Sequence, residues 1–388
     1  MRLVGVELIR ADVPFRVDIG TAAGVHRERA FLFVRVVSEA GEGWGECAAL
    51  GEGTSVDPPI DEVDAAAETR GVPRLWSAAA ARGGELPLEA EVAQLFGSSP
   101  VDRMLAAVFE MAVADAELRE EGQSLATALG VGVGEGFGAM PVGAAVGIPA
   151  GHDVGVLRDE VETATAGGAA RVRIKIAPDW DSVPLRAVRT AHPDLVMQAD
   201  ANGSYRLQDA DHVRQLENLA EFDLVCIEQP LPPSDLIAHA ELAKRITVPI
   251  CLDESLSSPR RVIDALRNGS CGVACLKPAR LGGLRAARVA HAACARAGVP
   301  AFVGGFFEAG LGRASNLALA ARLAEDAPGL VGDISAPADY LDVDPCGYPA
   351  VRNGWVQVPR QPGVGLWPNQ DTLENLTARR RWFPATYT

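Results

Sequence analysis

The chain has no CxxC pair and no cluster of cysteine with histidine. Its seven cysteines are an odd number, and Cys271 and Cys275 stand four apart with no histidine beside them. That excludes a zinc-ribbon pattern and gives no disulfide framework. Free, buried thiols in a reduced cytoplasm are expected instead. Positive charge is also lacking. The formal net charge is −15, so nucleic acid and anionic membranes are poor partners. No stretch is long and apolar enough to span a bilayer. The opening MRLVGVELIRADVPF carries Glu7, Arg10 and Asp12 through its apolar run, so no signal-peptide core is expected there. The glycine-rich GVGVGEGFGAM at 130–140 lacks a GK(S/T) ending and the full GxGxxG spacing. It reads as a linker, not as a phosphate loop.

Five phrases between Arg171 and Arg280 share one grammar: RVRIKIAP (171–178), LVMQADANG (195–203), LVCIEQPLP (224–232), VPICLDES (248–255) and GVACLKPAR (272–280). Each is a short run rich in Val, Ile and Leu that ends in a charge, and a Pro, Gly or Asn soon follows. Such runs read as strands buried on both faces. The terminal charges are Lys175, Asp200, Glu228, Asp253 and Lys277. A charge at the end of a buried strand is costly unless it meets a metal or a partner. Five of them at spacings of roughly 25 residues point to successive βα units of a barrel, whose active-site groups gather at the C-terminal strand ends.

Three carboxylates from adjacent strands would converge there. Oxygen ligands without His or Cys suit a hard cation, Mg²⁺ first and Mn²⁺ as a substitute. The two lysines flank the acidic trio and would face each other across the metal. Such a site suits removal of a proton from the carbon beside a substrate carboxylate. The metal would hold the developing enediolate charge and a lysine would take the proton.

The phrases resemble the muconate-lactonizing subgroup of the enolase superfamily, nearest to its N-acylamino acid racemases and o-succinylbenzoate synthases. The likeness runs nearly end to end, through PFR…GT near residue 20, GEGWGEC (41–47), IKIAPDWD (174–181), DAN (200–202), IEQP (227–230), ICLDES (250–255), KPARLGG (277–283) and GGFFEAGLGRASNLALA (304–320). The resemblance implies Mg²⁺ on Asp200, Glu228 and Asp253, and Lys175 with Lys277 as the acid/base pair. It also implies a small-molecule carboxylate substrate and a homo-oligomer.

The expected fold is α/β: a modified (β/α)₈ TIM-type barrel over 126–338 with a smaller α+β capping domain over 1–125. A tail over 339–388 is expected to pack back on the cap. In the cap, strands are expected at 2–12, 29–37 and 43–49. Two loops, 14–28 and 51–61, would be lids that carry part of the specificity. The second loop lacks the aromatic residue expected of N-acylamino acid racemases. Helical patches are read at 62–69 and 75–81, and a long helix is capped by Asp102 and stopped by Gly122. Eight barrel strands are expected, from 141–149 through the five phrases to 300–307 and 330–335. Helices fill 154–167, 182–191, 207–220, 235–245, 259–268, 282–297 and 312–325. Arg379, Arg380 and Arg381 read as a solvated terminus.

Several residues refine the expectation. Arg173 replaces the first lysine of the family's Lys-x-Lys pair and shares a face with Lys175. It is always charged, so it can bind a carboxylate or depress the pKa of Lys175, but it cannot be the base. Asn202 is a turn residue or a support for its neighbours, with the turn favoured. Glu254 would point away by strand alternation if the strand persists there, or else bond to a lysine on a neighbouring strand. His152, His192, His212, His239 and His291 are structural or exposed. Arg280, three past Lys277, accompanies racemase activity in the N-succinylamino acid racemase branch. It would favour the neutral form of Lys277 or bind a substrate carboxylate. Gly305, Glu308 and the backbone N–H groups of 304–313 could hold a succinyl end.

The expected activity is N-succinylamino acid racemase, o-succinylbenzoate synthase, or both. Muconate cycloisomerase and dipeptide epimerase are the alternatives, and a non-catalytic barrel comes last. A dipeptide epimerase would show an Asp-x-Asp pair on the last strand, where this chain has only Asp333.

Overall fold

The computed structural model describes residues 1–21, 24–132, 138–326 and 330–386. Most of the linker read at 130–140 falls on 133–137, outside the described residues.

The N-terminal part is an antiparallel sheet of β1 (Leu3–Thr21), β2 (Gly24–Ser38) and β3 (Glu42–Cys47). Its apolar residues divide by strand parity. Val6, Leu8, Leu32, Val34 and Val36 enter one core with the helices, and Ile9, Ala11, Val13, Phe31 and Phe33 enter the core shared with the barrel. Both faces are buried, which explains the nearly unbroken apolar run at 30–37. The lid expected as a loop at 14–28 is instead strand over 14–21 and 24–28, with 22–23 outside the described residues. Ile19 pairs with His26 and Gly20 with Val25, beyond an irregularity between Pro14 and Ile19. Proline lacks the N–H that a regular ladder needs there.

The two helical patches are one continuous helical stretch from Ile60 to Ala81, with a wider turn at Ala67–Gly71. Pro73 falls immediately after that wider turn, where the hydrogen-bond ladder already departs from the regular α pattern. The long helix α1 (Pro100–Glu120) is capped by Ser99, which accepts from Asp102 N at 3.1 Å. Asp102 is thus not the cap. It accepts from Ser99 Oγ and meets Arg70 and Arg74.

Seven parallel strands follow in sequence order: β4 (Gly143–Val146), β5 (Arg171–Lys175), β6 (Met197–Asp200), β7 (Leu224–Glu228), β8 (Ile250–Leu252), β9 (Val273–Leu276) and β10 (Ala301–Val303). Helices lie in every gap between β4 and β10, and another, Gly310–Asp326, follows β10. The expected eighth strand at 330–335 is not a strand. The segment instead closes the barrel with two backbone bonds, Gly143 N to Gly332 O at 3.2 Å and Asp333 N to Val303 O at 3.0 Å.

The N-terminal part reaches into the barrel with two buried glutamates. Glu110 of α1 accepts from Leu284 N at 2.7 Å, at the start of the helix Leu284–Ala297. Glu46 of β3 accepts from Ala309 N and Gly312 N, both at 2.8 Å, at the start of the helix Gly310–Asp326. Carboxyl oxygens at a helix N-terminus meet the orphan donors there, while burial pushes the Glu46 carboxyl up to about 8 and that of Glu110 well above its ordinary value.

The strand β11 (Thr377–Pro384) joins the N-terminal sheet antiparallel to β1. Its arginines Arg379 and Arg380 are exposed, as expected of a solvated terminus, but all three also have acidic partners. Arg379 and Arg381 pair with Asp64, Arg381 also with Glu68, and Arg380 with Glu374 at 3.1 Å. The arginines close a strand onto acids more than 300 residues earlier, a pairing that no local pattern announces.

Candidate active site

The strands place the five charges together. Lys175, Asp200 and Glu228 are the last residues of β5, β6 and β7, and they stand side by side in the ladder. Asp253 and Lys277 each come one residue after β8 and β9. All three carboxylates are buried. Each already has a cation. Lys175 Nζ lies 2.6 Å from Asp200, and Lys277 Nζ lies 2.8 Å from Asp253. Arg173 Nη1 lies 3.1 Å from Glu228 and 2.9 Å from Asp333. The lysines sit on the outer two of five adjacent strands, with the acids between them.

The electrostatics follow from burial and these pairs. Burial raises the Glu228 carboxyl and Arg173 opposes that. Asp200, Asp253 and Asp333 add to the rise, so the group is pushed up to about 8. Burial acts on Asp253 in the same sense, but Arg280 and Lys277 outweigh it and hold this carboxyl below its ordinary value. Burial works against the Lys277 ammonium, yet Asp253 more than offsets it and the net shift is upward. Arg280 pulls it down, in the sense expected from the sequence, without prevailing.

The chain contains three lysines, at 175, 244 and 277. Lys244 is exposed, and the other two are in this cluster. Arginine supplies the rest of the positive charge. With so few lysines in the chain, two in one cluster are a signal that the sequence itself carries.

The neighbouring residues depart from expectation in several places. Arg173 binds protein carboxylates, Glu228 and Asp333. Asn202 does both things considered for it. Its backbone takes a positive φ of 42° and its N–H donates to Asp200, while its side chain accepts from Lys175 Nζ at 2.8 Å and donates to Glu254 at 3.0 Å. Glu254 does not follow strand alternation, because β8 has ended at Leu252.

Arg280 is 2 % exposed, and all three guanidinium nitrogens are taken: Nε and Nη2 by Asp57, and Nη1 by Asp253. It has no free fork for a substrate carboxylate. The 304–313 segment is also largely occupied by the protein itself. Phe306 N donates to Glu308, Ala309 N and Gly312 N to Glu46, and Gly310 N to Asp344. Glu308 is buried against Arg313 and Asn316, so it props this segment. A side chain at Gly305 would meet Arg313 and Glu308 within 3 Å. Three further residues carry no local signal in the sequence: Asp57, Glu46 and Arg29, whose Nε donates to Phe306 O at 3.1 Å. All three act across more than 200 residues.

The donor set fits a divalent cation. Glu228, Asp253 and the thiol of Cys275 bring ligand atoms within 4.8 Å of one another, the one such group among the described residues. Asp200, in the neighbouring ladder position, lies outside that tight group and against Lys175. Buried carboxylates that meet lysines, arginines and the Gln198 amide form a site that a hard cation would complete.

Comparison with known proteins agrees with this architecture. The family described as Enolase C-terminal domain-like matches residues 156–372. An N-succinylamino acid racemase from Amycolatopsis sp is 38% identical over 98% of this chain and 99% of its own. An o-succinylbenzoate synthase from Geobacillus kaustophilus is 35% identical over 99% of this chain and 98% of its own. The solved structure of a probable mandelate racemase from Alicyclobacillus acidocaldarius superposes with a TM-score of 0.86 at 33% identity, covering all of both chains. With a curled sheet of parallel strands, an antiparallel cap and full-length relatives of this kind, the chain belongs to the Enolase C-terminal domain-like family, within the enolase superfamily of racemases and lyases.

Proposed function

We propose that this enzyme removes the α-proton of a carboxylate substrate, and that it racemises N-succinylamino acids, forms o-succinylbenzoate by dehydration, or does both. The observation that carries the reading is the placement of Lys175 and Lys277. They stand on the outer two of five adjacent strands, each bonded to a carboxylate, with Glu228 between them. Two ammonium groups facing a common centre from opposite sides can exchange a proton on either face of one carbon. Full-length relatives named for both reactions support the choice.

Asp200, Glu228 and Asp253 would hold a divalent cation, with Mg²⁺ favoured by the all-carboxylate set. When bound, the ion supplies positive charge beside the substrate carboxylate as negative charge builds there. The chain's own residues do the rest. Asn202 fixes Lys175 through a hydrogen bond to Nζ. Arg173 orients Glu228 and keeps Asp333 neutralised. Phe306 lies against Lys277, whose Nζ is 4.5 Å from the ring centroid, and so limits water on that side.

One alternative is disfavoured by a specific contact. A dipeptide epimerase would show an Asp-x-Asp pair at the last strand position, where this chain has the single acid Asp333. Here Asp333 is already met by Arg171 at 2.6 Å and Arg173 at 2.9 Å.

The test is a pair of assays on the Mg²⁺-loaded enzyme: loss of optical rotation with several N-succinylamino acids, and formation of o-succinylbenzoate. Activity in either supports the proposal. Inactivity in both, with turnover of a muconate or a dipeptide, would replace it.

A further inference from the structure

The segment 51–61 belongs to the N-terminal part of the chain and departs from the aromatic-containing loop of N-acylamino acid racemases. It carries a buried acid, Asp57. Thr54 shapes the turn that presents it: Thr54 Oγ1 donates to Asp57 Oδ2 at 2.8 Å, and Thr54 N to Asp57 O at 3.0 Å. The carboxylate then receives two parallel bonds from Arg280, from Nε at 2.8 Å and Nη2 at 2.7 Å. Both side chains are 2 % exposed, and 223 positions separate them. Such a fork-to-fork pair adds geometric definition to charge. The remaining guanidinium nitrogen donates to Asp253, whose other oxygen receives Lys277 Nζ at 2.8 Å. The backbone of Arg280 is held as well, because its carbonyl accepts from Arg103 Nε at 2.9 Å.

A chain of direct contacts thus runs from the loop to the reacting end of the barrel: Asp57, Arg280, Asp253, Lys277. Asp253 is shared by three claimants, namely Arg280, Lys277 and, on the reading proposed above, the cation. Asp57 holds two of Arg280's three nitrogens, and this decides how strongly Arg280 competes for Asp253. Without the Asp57 charge, the buried guanidinium would keep its hydrogen bond to Asp253 and feel Glu254 only at longer range, so its claim on Asp253 would grow.

We propose that Asp57 is a positioning residue for the metal and base site, coupling the 51–61 loop to cation binding through Arg280. The inference rests on the assignment of Asp253 as a metal ligand. Because coupling between two sites is reciprocal, the loop supports the cation and the cation supports the loop.

Two measurements test it, and neither needs turnover. The first is Mn²⁺ affinity by titration calorimetry on wild type, Asp57→Asn, Asp57→Glu and Asp253→Asn. Asp57→Asn keeps the size of the side chain but loses the charge and one acceptor. It is expected to weaken Mn²⁺ about 5- to 150-fold, the usual range for two coupled sites. Asp57→Glu, which keeps the charge, should recover part of the loss. The second is amide hydrogen exchange of 51–61 in wild type with and without Mn²⁺, which stands even if the variants fold poorly. Exchange should slow when Mn²⁺ is bound.

Unchanged Mn²⁺ affinity in folded Asp57→Asn, or 51–61 exchange indifferent to Mn²⁺, would overturn the coupling. Undiminished affinity in Asp253→Asn is a different failure. It would remove the metal-ligand assignment itself, and the coupling with it.

Discussion

Lys277 Nζ lies 2.8 Å from Asp253 Oδ2, so a candidate base is hydrogen-bonded to a candidate metal ligand. Lys175 repeats the arrangement with Asp200 at 2.6 Å. A cation entering between the acids would compete with both lysines for those carboxylates. Cation binding and release of the ammonium groups are therefore linked in this site.

Metal binding should expel a proton. The Glu228 carboxyl, pushed up to about 8, holds its proton at neutral pH when no cation is present. A cation requires the carboxylate, so affinity must fall as the pH drops below about 8. The expected slope is about tenfold per pH unit between 6 and 8, flattening above. Calorimetry of Mg²⁺ binding in two buffers of different ionisation enthalpy would count the released proton. An affinity that does not change with pH across that window would contradict the arrangement. Chelation should abolish turnover, with Mg²⁺ or Mn²⁺ restoring it.

The two lysines should separate by stereochemistry. Lys175→Ala and Lys277→Ala are each expected to stop racemisation. Any residual exchange of the α-proton in deuterated water should be confined to opposite enantiomers in the two variants. The readout is NMR of each pure enantiomer after incubation. Near wild-type racemisation by either variant would show that its lysine is not a base.

Arg173 meets two buried acids at once, Glu228 at 3.1 Å and Asp333 at 2.9 Å, and in the metal-free protein its ion pair is with Asp333, whose carboxyl it helps hold below the ordinary value. Arg173→Met would leave both with less compensation. Breaking a buried ion pair from one side typically costs about 3–5 kcal/mol. Urea unfolding of the metal-free variant should show a loss of that size, and saturating Mg²⁺ should return part of it by charging the Glu228 side. Arg173→Lys keeps the charge but offers a single ammonium instead of a fork, so its loss should be smaller.

Glu46 bonds Ala309 N and Gly312 N across the boundary between the N-terminal sheet and the barrel, at 2.8 Å each. Glu46→Ala would leave two buried donors unmet, at roughly 1–3 kcal/mol each. Glu46→Gln keeps only one acceptor and turns its amide on the other donor, so it should also destabilise. Denaturant unfolding measures both. Losses below about 0.5 kcal/mol would mean that water replaces the carboxylate without cost.

Much of this enzyme was determined locally, and the sequence by itself carried that part. Strand core and strand end differ in composition, so the apolar runs and their terminal charges placed Lys175, Asp200, Glu228, Asp253 and Lys277 on neighbouring strands. Helix caps and stops are equally local, and helices expected at 182–191 and 259–268 occur with those bounds. Tertiary structure alone decided what depends on partners far along the chain. Residues 14–21 and 24–28 become strand because each side supplies the other's hydrogen bonds. Residues 330–335 close the barrel without forming a strand. Arg280 turns from substrate to Asp57, and Arg379 and Arg381 to Asp64. A guanidinium in sequence announces only that it will need an anion. Which anion it meets is set by which surfaces the folded chain brings together, and spacing along the sequence holds no record of that choice.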